Sequence, residues 1–143
     1  MALSAASLVA LTAIGVAVPA TAATQPTQAT IAEIQGITRV SPFDGKQVTG
    51  VSGIVTAIRS FGSARGFWFQ DPTGDGDPRT SEGLFVFTGS ATPNVRVGDA
   101  VTVSGTVKEF YPTNPSDSPF QSTTEWVDAS WTVTSSGNDL PEA

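Results

Sequence analysis

Ala100 to Phe110 reads AVTVSGTVKEF, and within it Val101, Val103, Gly105 and Val107 alternate with polar residues. Alternation with a period of two marks a β-strand that turns one face to a core and the other away from it. The glycine in the middle of the run adds a second constraint, because a strand without a side chain at its centre can bend sharply and let its neighbours approach. An echo of the same pattern lies upstream, where Val51-Ser52-Gly53-Ile54-Val55 matches Val103-Ser104-Gly105-Thr106-Val107. Two long strands, each coiling about a central glycine, restrict the chain to folds in which strands curve around a small core.

The other segments agree. Gln47 to Ile58 (QVTGVSGIVTAI) is β-branched and apolar with Gly50 and Gly53 inside it, Gly66 to Gln70 (GFWFQ) is aromatic, and Gly83 to Thr88 (GLFVFT) is a short apolar run. Thr124 to Ser135 (TEWVDASWTVTS) supplies a closing strand with Trp126, Trp131 and Val133. Ahead of these, Ile31, Ile34 and Ile37 are expected to anchor a short strand or turn, and Ser41-Pro42-Phe43-Asp44-Gly45 a turn. With 14 glycines, 10 prolines and only 14% charged residues, the chain favours short strands joined by turns over helices. The expected class is all-β. Five strands fit a small, partly closed Greek-key barrel of the oligonucleotide/oligosaccharide-binding (OB) type; a sandwich, the runner-up, would call for about seven.

The amino terminus points to export. Leu3 to Val18 is an uncharged apolar run ending at Pro19, followed by Ala20-Thr21-Ala22, the small-residue form that signal peptidase cleaves. Residues 1–22 are therefore read as a signal peptide, residues 23–30 as a flexible polar leader, and residues 31–143 as the OB-fold domain. No further apolar stretch of spanning length follows, so no membrane association is expected after cleavage. The chain is expected to be a secreted, extracellular or cell-wall-associated monomer. Its 13 acidic and 7 basic side chains give a formal charge of −6, which opposes strong binding of a polyanion. With no histidine and no cysteine, the common nucleophile and base pairs and soft zinc sites are excluded.

Four stretches carry a resemblance. They are Ile31-Ala32-Glu33-Ile34-Gln35-Gly36, Gly53-Ile54-Val55-Thr56-Ala57, the run FWFQDPTGDGDP from Phe67 to Pro78, and GDAVTVSGTV from Gly98 to Val107. Together they resemble the OB-fold domain that precedes the catalytic domain of secreted bacterial endonucleases of the endonuclease/exonuclease/phosphatase type. The likeness covers about Ile31 to Pro141. It implies a role inside a divalent-metal-dependent, sugar-nonspecific nuclease, with a downstream nuclease domain as partner. Because that family carries its metal-binding carboxylates and general-base histidine on the later domain, the resemblance assigns no catalytic residue to this chain.

OB folds bind ligands across strands two and three, framed by the loops joining strands one to two and four to five. That surface would draw on Arg59, Phe61 and Arg65 from the first loop, Trp68 from strand two, and Phe110, Tyr111 and Phe120 from the long loop. Aromatic rings interleaved with arginine are what base stacking requires. Phe67, Trp68 and Phe69 are consecutive, so alternation sends at least one inward, and Trp68 is open to a packing role as well as a binding one. The acidic loop offers a second candidate: Asp71, Asp75, Asp77 and Glu82, beside glycines, suit a hard cation such as calcium. The phase of an EF-hand is absent, and Asp, Gly and Pro also make an ordinary solvated turn. The expected function is a non-catalytic accessory module of a secreted nuclease with weak affinity for single-stranded nucleic acid. The alternatives are a protein-interaction or cell-wall spacer domain and a calcium-binding structural module.

Overall fold

The computed structural model describes residues 27–112 and 122–142. The signal segment, the leader up to residue 26 and Phe120 lie outside these residues. One short helix, α1 (Ile31–Gln35), is followed by five strands: β1 (Gln47–Arg59), β2 (Arg65–Gln70), β3 (Gly83–Gly89), β4 (Ala100–Phe110) and β5 (Thr123–Ser135). The strands close into a ring in the order β1-β2-β3-β5-β4, with β4 returning to pair with β1. All pairings are antiparallel except that of β3 with β5, which run parallel. Among the described residues no helix is long and apolar enough to cross a membrane.

Alternation decides what fills the ring. Val101, Val103 and Val107 of β4 point inward with Val48, Val51 and Val55 of β1, and meet Phe67, Phe69, Leu84, Val86 and Trp126 in one buried cluster. The Phe69 ring stacks on the Trp126 indole with centroids 5.7 Å apart, and Trp131 meets Phe67 edge-on at 5.2 Å. The glycines act as the pattern foretells. At Gly50, φ is +72° and the β1–β4 register shifts between Val48 and Val51, so the strand bulges there. At Gly105 an added Cβ would lie 2.9 Å from the Ala129 Cα, a close approach that only glycine permits.

The first element differs from expectation. Ile31 to Gln35 is helical, neither strand nor turn. The reason is local: the Thr30 side chain accepts from the Glu33 amide at 3.2 Å while the Glu33 carboxylate accepts from the Thr30 amide at 2.8 Å, a reciprocal capping box. Ile31 and Ile34, three residues apart, fall on one face and are buried in the cluster, whereas Ile37 lies beyond the helix and is 58% exposed. The helix is held to the ring by the Gln35 amide, which donates to the Gly83 carbonyl at 2.6 Å. The end of the leader is also engaged, since Thr27 bridges Val48 and its carbonyl accepts from the Thr49 amide at 3.0 Å.

Candidate functional site

Inward and outward residues of the ring are consecutive in sequence, so every core residue has a neighbour on the outer surface. In β2, Phe67 and Phe69 are fully buried and Trp68, between them, is 39% exposed. In β3 the outward neighbour of Val86 is Phe85; in β5 that of Trp126 is Glu125; in β4 that of Val107 is Lys108. Register joins them, because Trp68 pairs with Phe85, Phe85 with Glu125, and Glu125 with Lys108. A single row of side chains thus crosses four strands on the outside of the ring. It runs along a cleft of about 620 Å³ whose rim includes Arg59, Ser63 and Phe110. That volume lies within the usual range for small-ligand sites.

The row is aromatic at one end and charged at the other. The Trp68 and Phe85 rings pack at 4.5 Å, tilted by 39°. Phe110, half exposed, also lines the cleft. Arg59 lies over the Phe61 ring at 5.3 Å, a cation–π contact that places Phe61 beside the cleft. The Arg59 Nε is buried and has no hydrogen-bond partner among the described residues. Glu125 is only 8% exposed as a residue, yet its carboxylate oxygens are not among the buried side-chain atoms without a partner. Burial pushes its carboxyl above the usual carboxylate value, and the charge of Lys108 only partly offsets this.

The neighbouring rung holds a second buried glutamate, tied down through one oxygen while its Oε2 has no hydrogen-bond partner among the described residues. Glu109, also buried, accepts at Oε1 from the Ser41 amide and from the Thr124 hydroxyl, both at 2.8 Å. Ser41 in turn donates to the Ile34 carbonyl, so Glu109 ties α1 and its following turn to β4 and β5. Glu109 is a structural bracket, and Glu125 is not.

Of the side chains expected from sequence, Arg59, Trp68 and Phe110 line the cleft and Phe61 flanks it. Arg65 does not line it: its Nε donates to the Gly62 carbonyl at 3.0 Å and its Nη1 to the Thr92 hydroxyl at 2.8 Å, pinning the β1–β2 turn. Tyr111 follows β4 and is absent from the lining. Phe85, Lys108 and Glu125 are the residues that sequence reasoning missed. The signal available for them was parity, since each stands next to a residue certain to be core.

The acidic loop has a different character. Asp71 Oδ1 accepts from the Thr73 and Gly74 amides at 2.8 and 3.2 Å, and Glu82 Oε1 from the Asp75 amide at 2.9 Å. Asp75 accepts from the Asp77 amide at 2.7 Å and from the Thr80 hydroxyl at 3.0 Å. Asp77 forms an ion pair with Arg79, Oδ2 to Nη2 2.6 Å. These contacts hold the carboxyls of Asp75 and Asp77 below the ordinary aspartate value, Asp75 chiefly through the Asp77 amide and Asp77, at about 2, chiefly through Arg79. Among the described residues no three acidic side chains converge as a cation site would require. Asp71, Asp75, Asp77 and Glu82 serve here as caps for the turns of their own loop.

Compared with protein-family models and with curated proteins, the chain matches none.

Proposed function

We propose that the chain is an OB-fold accessory module of a secreted nuclease, and that it offers the outer-face cleft to single-stranded nucleic acid. The strand order β1-β2-β3-β5-β4, closed by β1 on β4, supports a five-stranded Greek-key barrel. The observation that carries the functional reading is the row Trp68–Phe85–Glu125–Lys108 with Arg59 at its edge. Exposed aromatic faces beside cationic groups suit unstacked bases and their phosphates. The row crosses β2 and β3 beside the β1–β2 loop, where OB folds take their ligands. Catalysis belongs to a neighbouring domain in this reading, and export to the extracellular or cell-wall space accompanies it.

The net charge of −6 sets the expected strength. Two cationic side chains at the cleft release only about two counterions, so affinity should be no tighter than about 10⁻⁴ M with a shallow salt slope. An NMR titration with single-stranded oligonucleotide checks this: shifts should concentrate on Arg59 to Phe69 and on Lys108, Phe110 and Glu125. If no resonance of the cleft moves at millimolar oligonucleotide, the domain is a spacer or protein-interaction module, the reading that the net charge favours.

A further inference from the structure

We infer that the gap between β3 and β5 is a docking site for an extended partner segment, with an arginine side chain seated against Asp128, Phe87 and Trp131. The inference does not rest on the nucleic-acid reading. It starts from a place where the ring is not fully laced. β3 and β5 pair only at Phe85 with Glu125 and at Val86 with Trp126. Beyond that point residues 87–89 of β3 are paired on the β2 side and residues 127–131 of β5 on the β4 side, and their facing sides take no strand. Between them lies a pocket of about 450 Å³ whose lining includes Phe87, Asp128, Ala129 and Trp131. Backbone edges left open in this way are where an extended segment adds to a sheet.

A carboxylate on strained backbone stands at this gap. Asp128 is the one described residue other than glycine with a positive φ, +50°. The β4–β5 register slips there, since Thr106 faces Val127 while Ser104 faces Ser130, so β5 carries one extra residue and bulges. Gly105 makes the bulge possible, because a Cβ there would lie 2.9 Å from the Ala129 Cα. Bulges re-aim side chains, and backbone held in a sparsely populated region points to a functional constraint. The re-aimed side chain is exposed, forms no ion pair among the described residues, and shares its pocket with two aromatic rings. That set suits an organic cation. A carboxylate attracts cations and repels phosphate, aromatic faces attract cations, and among the described residues no lysine or arginine lines the pocket. Arg65, on the strand beside β3, is turned to Gly62 and Thr92. The net charge of −6, adverse to a polyanion, favours a basic guest. Arginine fits better than lysine, because a planar guanidinium lies flat on an aromatic ring and still offers paired N–H groups to a carboxylate. The open strand edges take the backbone on either side of that arginine.

The test titrates the whole chain, followed by NMR, with a blocked Thr-Val-Arg-Val-Thr peptide and with the same peptide carrying citrulline, which keeps the shape of arginine without its charge. Shifts should concentrate on residues 87–89 and 127–131. The arginine peptide should bind roughly fivefold tighter than the citrulline one, as expected of an exposed cation–π contact with an ion pair. Asp128→Gly removes the carboxylate and suits the positive φ, and Asp128→Asn keeps the size without the charge; each should remove most of the arginine preference. Equal affinity for the two peptides, a preference that survives both variants, or shifts confined to the acidic loop from Asp71 to Glu82 overturns the inference. So does the absence of binding at millimolar peptide. A blocked arginine amide that binds as tightly as the peptide would make the guest a free cation and overturn the partner segment. Should either variant fail to fold, the other variant and the arginine–citrulline comparison on the unaltered chain decide.

Discussion

The loop between β2 and β3 and the cleft on the outer face of the ring both hold carboxylates, under opposite conditions. In the loop, Asp71, Asp75, Asp77 and Glu82 accept from backbone amides, a hydroxyl or Arg79, all within the same short segment. In the cleft, Glu125 is buried beside Lys108 of the neighbouring strand, and burial raises its carboxyl above the usual value. Density of charge is greater in the loop, yet its hydrogen-bonding capacity is spent on local turns. Crowded carboxylates that cap their own turns need no further partner, whereas the carboxylate of the cleft is set apart by its burial.

The comparison can be broken first at its scaffold. Trp126 is the inward neighbour of Glu125, fully buried and stacked on Phe69. Trp126→Ala should cost about 3 to 5 kcal/mol of stability, enough to endanger the whole ring in a chemical-denaturation curve. Its outward counterpart should behave in the reverse way. Trp68→Ala is expected to remove about 1 to 3 kcal/mol of oligonucleotide binding while leaving a cooperative melt; loss of the fold instead would return Trp68 to the core.

Stability against pH separates the two regions by sign. A carboxyl whose folded-state value is raised contributes its stability below the unfolded value and loses it as pH rises through the folded one. Glu125→Gln should therefore raise the melting temperature at pH 7, with the gain fading as pH falls below the ordinary glutamate value of about 4.3. Asp77 runs the other way: depressed to about 2 by Arg79, it adds stability above the ordinary aspartate value that is lost as pH falls toward 2. Asp77→Asn should slightly lower the melting temperature at neutral pH and flatten its acid dependence; the pair is exposed, so added salt should shrink the effect. A gain from Asp77→Asn, or a loss from Glu125→Gln, would erase the distinction. The smallest expected response is to calcium, since the loop carboxylates are engaged with one another's turns: millimolar calcium should leave the melting temperature unchanged. A rise that Asp75→Asn with Asp77→Asn abolishes would place a cation in the loop after all.

Much of this was legible in the chain. Strand bounds followed from alternation and apolar runs to within a residue, because a strand's period is a local property of backbone and side chain. The bulging glycine at Gly50 and the close approach at Gly105 were legible for the same reason. The capping box at Thr30 and Glu33 is equally local, and it outweighs the strand or turn that the isoleucine spacing suggests. Half of the site was legible too: Arg59, Trp68 and Phe110 stand out by type and position.

What no reading of single segments supplies is which side of each strand faces out and which strands lie together. The consecutive rings of Phe67, Trp68 and Phe69 leave the parity open until the register with β1 and β3 is set, and that register sends Trp68 outward. Lys108 and Glu125 look like ordinary strand charges until β5 crosses over to lie between β3 and β4. Sequence by itself determined the strands, their bends and the absence of histidine and cysteine chemistry, since each depends on residues adjacent along the chain. Ring closure alone decided that an aromatic pair, a buried carboxylate and a lysine from four separate strands share one row, because non-local pairing is chosen by burial of the common core and by nothing within a single strand.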